Sequence, residues 1–325
     1  MPPAPAVAAV RRAVRTSLAE IDGRLLVACS GGADSLALAA ATAFEAPRAG
    51  LTAGLITVDH GLQPDSGEQA GRVAAFGYEL GFDPVLLVRV DVGRDGGPEA
   101  AARAARYAAL GAAAERLAAA VLLGHTLDDQ AESVLLGLGR GSGPRSVAGM
   151  RAVDGRYHRP LLGLRRAVPA AACRALGLEP WDDPQNADPR YQRVRLRREV
   201  LPLLDDILQG GVAQALARTA ELVRDDLDAL DAWAAAVLEQ IPSGPHLAVD
   251  AIGALPRAVR TRVLRAWLAA AGAGPLTAER TNCVDELITG WHGQGPVDLP
   301  GRIAVSRRSA RLVVQPAHRA HRGRA

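Results

Sequence analysis

Between Arg24 and Leu38 the chain reads R-L-L-V-A-C-S-G-G-A-D-S-L-A-L, and few folds accept that order. Leu25 to Cys29 is a short continuous apolar run, suited to a strand buried on both faces. Ser30-Gly31-Gly32 breaks it, and from Ser35 to Phe44 the apolar residues suit a helix. A strand, a glycine turn and a helix start make an anion site. The first helical amides lack partners, point outward and lie at the positive end of the helix dipole. Gly31 and Gly32 let the backbone approach an anion closely. Ser30, Gly31, Gly32, Ala33, Asp34 and Ser35 are therefore candidate phosphate contacts, Ser30 and Ser35 through hydroxyls as well. Asp34 brings a carboxylate that could hold a magnesium ion between phosphates. The loop is not a Walker A loop, which needs Gly-Lys-Ser/Thr. The chain has no lysine, so all 38 residues counted as Lys+Arg are arginines.

After this loop, strands and helices alternate. Leu51 to Val58, Pro84 to Val90 and Ala120 to Leu123 read as strands. Ser66 to Leu80, Pro98 to Ala119 and Asp128 to Leu138 read as helices, the first with an S-x-x-Q capping box at Ser66. Ala6 to Leu18 reads as a first helix packed on the same domain. The pattern predicts an α/β fold with a doubly wound parallel sheet. Ligands of such sheets bind at the strands' carboxyl ends, where Ser30 to Ser35, Val58 to His60 and Gly124-His125 should converge.

The second chemical stretch is G-H-T-L-D-D-Q-A-E from Gly124. Acids at a helix start suit the dipole and are ordinary there. Asp128 and Glu132, however, lie one turn apart on one face beside the anion loop. Asp128, Asp129 and Glu132 together need a metal or a cationic substrate to offset their repulsion. Gly137 to Arg151, with five glycines and three arginines, reads as a flexible basic loop. A helix follows from about Val168 to Leu176. A turn-rich segment from Trp181 then feeds a basic helix carrying Arg190, Arg193, Arg195, Arg197 and Arg198, on more than one face.

With 325 residues the chain has room for two domains. We place the first at residues 1–209 and a connecting helix at 210–240. A second, smaller α+β domain, at 241–325, has a strand near His246, helices at Pro256–Ala271 and Thr277–Ile288, and a β-meander from Val297 to Val314. Net charge is +3, so local arginine clusters, including those of the meander and the terminal H-R-A-H-R-G-R, matter more than the total. Cys29, Cys173 and Cys283 form no C-x-x-C pair, which fits a reducing cytosol and predicts a cytoplasmic protein. No apolar run is long enough for a membrane span, and the N-terminal arginines follow the apolar segment, the wrong order for a secretory signal.

S-G-G-x-D-S after a strand resembles the pyrophosphate loop of the N-type ATP pyrophosphatases. The wider set resembles one family among them, the tRNA(Ile)-lysidine synthases. It comprises S-G-G-A-D-S at Ser30, V-D-H-G-L at Val58, E-A-A-A-R-A-A-R-Y at Glu99, G-H-T-L-D-D-Q-A-E-S-V-L-L at Gly124, R-P-L-L at Arg159 and D-P-x-N-x-D-x-x-Y-x-R from Asp183 to Arg193. From Val212 onward only the layout is similar. Three positions depart from the family pattern: Thr126 for a second histidine, Gln185 for a serine, and Val194 for an asparagine after the arginine.

The resemblance implies ATP and Mg²⁺ as cofactors, with tRNA(Ile) bearing a CAU anticodon and free L-lysine as partners. The wobble cytidine would be adenylated at its C2 oxygen, and lysine would displace AMP. Asp34 and Asp129 would hold the metal, with Asp128 beside them. Asp128 and Glu132 would bind the ammonium groups of lysine. Val58 would meet adenine through its backbone, and Arg106 and Gly124 would line the nucleotide. Arg193, Arg195 and Arg197, with the small domain, would position the tRNA. Homodimerisation is left open. A tRNA thiolase or an enzyme adenylating a small metabolite are the rivals on the same loop, and a non-catalytic nucleotide- or RNA-binding module is the rival from another class.

Overall fold

The computed structural model describes residues 2–61, 63, 65–93, 97–141, 143–183 and 188–317. Leu62, Ser142, Pro184 to Ala187 and the terminal H-R-A-H-R-G-R lie outside the described residues. Two compact units divide between Leu222 and Val223, inside one long helix.

The first unit opens with α1 (Pro5–Leu18), β1 (Arg24–Ala28), α2 (Ala33–Glu45), β2 (Thr52–Asp59), α3 (Ser66–Glu79), β3 (Val85–Arg89), α4 (Pro98–Leu117), β4 (Ala119–Leu122) and α5 (Leu127–Arg140). A short α6 (Pro144–Val147), a hairpin of β5 (Val153–Asp154) and β6 (Tyr157–His158), and α7 (Ala167–Leu176) follow. The six-stranded sheet runs β3-β2-β1-β4-β6-β5, parallel except for β5 at the edge. Side chains alternate as the pleat demands. Leu25 and Val27 of β1 face α1, α2 and α7, whereas Leu26 faces Leu110, Ala113 and Ala114 of α4. Strand order reverses between β1 and β4, so the loops after these two strands diverge and leave a crevice at the carboxyl edge.

Two local expectations are corrected. Ser66 is not a cap: its helix is preceded by Asp65, and its hydroxyl serves Asp59. The capping box sits instead on α5, where Thr126 and Asp129 bond reciprocally. Gly137 to Arg151 is not an open loop. It comprises the end of α5, α6 and an anchored return, in which the Gln130 amide donates to Met150 O at 2.9 Å and accepts from Met150 N at 2.7 Å.

The unit closes with α8 (Gln192–Arg195), a π turn (Leu196–Val200), α9 (Leu201–Ile207) and the start of α10 (Val212–Glu239). Beyond the end of α10, the second unit holds β7 (His246–Ala248), α11 (Val249–Ile252), α12 (Arg257–Ala270), α13 (Ala278–Thr289), β8 (Val297–Leu299), β9 (Ile303–Arg308) and β10 (Arg311–Pro316). Its antiparallel sheet runs β7-β10-β9-β8 over a core of Leu247, Val263, Leu264, Leu268, Val284 and Leu312.

Candidate active site

The loop after β1 is drawn tight by Ser35. Its hydroxyl donates to Gly32 O at 2.9 Å and accepts from Ser30 N at 3.2 Å. The Ser35 proton is thus committed to holding the loop's shape, while Ser30 stays exposed. Gly31 adopts φ +88°, a conformation that L side chains rarely enter, and its carbonyl accepts from Trp181 N at 2.9 Å. The turn-rich segment from Trp181 is therefore seated on the loop, and Asp183 accepts from Gln63 Nε2 at 2.7 Å. Gly124, after β4, lies so close to the loop that a Cβ there would stand 3.2 Å from the Asp34 carbonyl carbon and 3.3 Å from Ser35 N. The Ser30–Ser35 and Gly124–His125 segments therefore meet, as the strand pattern predicts.

Arg106 from α4 stands near the ends of β2 and β4, where its charge is felt by both His60 and His125. Its Nε is buried without a hydrogen-bond partner, as are Nδ1 of His60 and of His125. Burial, reinforced by Arg106, pushes His125 down to about 3 and lowers His60, so both imidazoles are neutral near pH 7. Val58 is half-buried at the end of β2.

On the other side of the crevice four carboxylates gather. Asp129 Oδ2 accepts from both the backbone N and the Oγ1 of Thr126, each at 2.8 Å. Thr126 is fully buried, so the threonine at this position works as a helix cap. The repulsion among the acids is offset from within. Arg166, the residue before α7, reaches Asp34 Oδ2 at 3.4 Å, Glu132 Oε1 at 3.4 Å and Asp129 Oδ1 in a short contact. Its backbone N donates to Asp128 Oδ2 at 2.7 Å. Arg197, in the π turn, forks onto Glu132 at 2.8 and 3.2 Å. Arg165 pairs with Asp128 at 3.1 Å.

Burial lifts the Asp34 carboxyl to about 6, with Arg166 pulling down and Asp129 pushing up. Burial acts most strongly on Asp129 too. There Arg166 and the Thr126 bonds outweigh it, and the carboxyl is held below the usual range.

Arg165 and Arg166 have no part in the sequence reading; the signal that could have found them is the demand for a cation among the acids. Arg193 and Arg197, four apart on one face, point inward: Arg193 Nη1 donates to Ser133 Oγ at 3.3 Å and lies 3.9 Å from Glu132. Arg195 is exposed and pairs with Glu199 at 2.9 Å. Val194, where the family pattern has asparagine, is buried and apolar contact suits it.

The comparisons with known proteins meet this geometry. A PP-loop domain model matches residues 7–204, and a TilS substrate binding domain model matches residues 247–313. The tRNA(Ile)-lysidine synthase of Thermobifida fusca is 56% identical over 319 residues, covering 96% of this chain and 98% of its own. The chain belongs to the tRNA(Ile)-lysidine synthases. The Streptomyces coelicolor member is 57% identical, covering 90% of this chain and 85% of its own. Among solved structures, a U34-tRNA thiolase from Methanococcus maripaludis carrying a [4Fe-4S] cluster superposes with a TM-score of 0.56 at 18% identity, over 67% of this chain and 80% of that one. At that identity the likeness concerns the fold alone. Membership in the synthases matches the resemblance read from the motifs, and makes the chain an ATP-using ligase with a substrate-binding domain after its catalytic one.

Proposed function

We propose that this synthase modifies the wobble cytidine of tRNA(Ile) bearing a CAU anticodon. The C2 oxygen of the cytidine attacks the α-phosphate of ATP and pyrophosphate leaves. The amine of free L-lysine then attacks C2, AMP leaves, and lysidine remains. One observation carries the reading: a single guanidinium, that of Arg166, touches Asp34 of the phosphate loop and both Asp129 and Glu132 of α5. Carboxylates from two different strand ends therefore share one point beside the phosphate loop.

The amides of Gly31, Gly32 and Ala33, with the Ser30 hydroxyl, hold the phosphates and stabilise departing pyrophosphate. Val58 meets adenine through its backbone. Arg106, with its unpartnered Nε and neutral imidazoles on either side, steadies the adenylate phosphate. When bound, Mg²⁺ neutralises charge on the phosphates. Asp34 and Asp129 fit it: Asp34 Oδ1 is buried without a partner, while Asp34 Oδ2 and Asp129 Oδ1 already share one cationic group. Among the described residues no group of three or more His, Cys, Asp or Glu is arranged to hold a metal, so phosphate and water would complete the shell.

Asp128, partly exposed, provides negative charge for the ammonium groups of lysine, whereas Glu132, expected beside it, is fully buried and taken by Arg166, Arg193 and Arg197; the target cytidine is reachable in an unpaired anticodon loop. Arg195 and the second unit bind the tRNA, with Arg193 and Arg197 framing the acids from the tRNA side. The two thiols of the first unit do not suit thiolase chemistry: burial raises Cys29 and lifts Cys173 to about 11, away from thiolate.

The test is incorporation of labelled free lysine into unmodified tRNA with a CAU anticodon, in the presence of ATP and Mg²⁺, with a wobble-substituted tRNA as control. Label in the first tRNA alone is expected. AMP without label would reopen the nucleophile, and neither AMP nor label would overturn the reading.

A further inference from the structure

We propose that Arg166 is an exchangeable internal cation, whose guanidinium holds the position shared by Asp34 and Asp129 and moves onto the phosphates when the metal-bound nucleotide enters. This rests on the reading of Asp34 and Asp129 as the metal carboxylates. The argument is first one of oxygens. Arg166 takes Asp34 Oδ2 and Asp129 Oδ1, and the other Asp129 oxygen is bound twice by Thr126. Mg²⁺ needs oxygens at about 2.0–2.1 Å, so an ion bridging Asp34 Oδ2 and Asp129 Oδ1 would stand where the guanidinium now stands, and Asp34 Oδ1 is the one oxygen of the two carboxylates left without a partner.

The second argument is charge. Asp34, Asp128, Asp129 and Glu132 are matched one for one by Arg165, Arg166, Arg193 and Arg197. A divalent cation added to this half-buried set leaves an excess of positive charge unless a guanidinium withdraws or finds an anion.

The third is mobility. Arg166 reaches both Asp34 and Glu132 at 3.4 Å, the long end of the hydrogen-bond range, and its one close carboxylate contact is with Asp129. Its backbone is fixed separately, through N–H to Asp128, so the side chain can leave without unseating α7. Arg197 differs: it is forked onto the fully buried Glu132 and stands 3.9 Å from Asp129. Because Asp34 belongs to the phosphate loop itself, the guanidinium already stands beside that loop, and its planar fork suits phosphate oxygens.

The exchange predicts two effects of opposite sign for Arg166→Gln. Nucleotide-free binding of Mn²⁺, followed by electron paramagnetic resonance as a probe of the Mg²⁺ position, should tighten by about tenfold as the competing charge goes. Binding of ATP should weaken by about tenfold, the size of a lost charge-assisted contact. A residue that only supports the fold would weaken both. A phosphate-binding arginine that never occupied the acids would weaken ATP alone. Either result, including no detectable Mn²⁺ binding by Arg166→Gln, overturns the exchange. If Arg166→Gln does not fold, Arg166→Met is read for the same two signs, since methionine removes the charge and the fork but keeps an unbranched side chain of similar reach. Asp34→Asn added to the variant should abolish the tightened Mn²⁺ binding. Tightening that survives Asp34→Asn would overturn the metal assignment and the exchange with it. Loss of Mn²⁺–ATP binding by Asp34→Asn alone, with no tightening in Arg166→Gln, would sink the exchange and leave the metal assignment standing.

Discussion

At Asp34 burial and the proposed metal-holding role pull in opposite directions. Burial lifts its carboxyl to about 6, yet only the ionised form can hold a cation. Near pH 7 most of it is charged; by pH 5 most is protonated. The kcat/KM for ATP, which reports the free enzyme, should therefore fall by about tenfold per pH unit below about 6. His125, at about 3, is neutral across that window and cannot produce the same inflection. A flat profile between pH 5 and 7 would detach Asp34 from the reaction. Asp34→Ala should cut AMP formation by about a thousandfold, as loss of electrostatic stabilisation at a reacting phosphate does, with tRNA affinity largely kept; full turnover in that variant would refute the loop assignment. The acids could be read from sequence because Asp34, Asp128, Asp129 and Glu132 stand in short local patterns. Arg166 could not: it comes 37 residues after Asp129, in a plain Arg-Arg pair, and only the folded chain brings it to the acids.

Elements set the precision with which these residues meet. Thr126 closes the box that aims Asp129, so Thr126→Val removes the hydroxyl's bond to Asp129 Oδ2 and the cap it offers the Asp129 backbone N, while keeping the shape. A loss of about 1 kcal/mol in denaturant stability is expected, the usual value of an N-cap. A stability change near zero would show that the backbone N–H alone holds the carboxylate. Gly137 is where α5 touches α6, and a Cβ there would stand 2.1 Å from Ser146 O. Gly137→Ala should cost about 1–3 kcal/mol as the backbones are forced apart; an unchanged melting temperature would contradict that packing. The alternation of strands and helices was legible because β1 to β4 are apolar runs separated by amphipathic helices. The β5–β6 hairpin was not, since strands of two residues carry no periodicity. Nor was α6: Gly137 of α5 packs against its Ser146 and Gly149 beyond it packs against Gln130, and close packing at a glycine has the same signature in sequence as looseness. The family's Thr126 departure is explained only by the buried cap it forms.

Across the whole molecule the two units rest on different physics. The first owes its core to the two faces of a parallel sheet and its function to the carboxyl edge. The second is small, and within it Arg260 and Asp285 are buried together at 2.6 and 3.0 Å, with Arg260 also donating to Leu255 O at 2.7 Å. Such a pair adds little over an apolar replacement, but removing one partner strands a charge. Asp285→Ala should therefore destabilise the second unit by about 3–5 kcal/mol. The phosphate loop, the acids and Arg166 all lie in the first unit. Binding of ATP should then persist in this variant while tRNA-dependent lysine incorporation is lost, and a calorimetric scan should show one early transition and one unchanged. Replacing both partners, Arg260→Met with Asp285→Leu, should restore much of the stability because no charge is left unpaired. If the double variant unfolds as early as the single one, the pair contributes a specific geometry that apolar packing cannot supply. If ATP binding falls together with the second unit in Asp285→Ala, the two units depend on each other more closely than their separate cores imply.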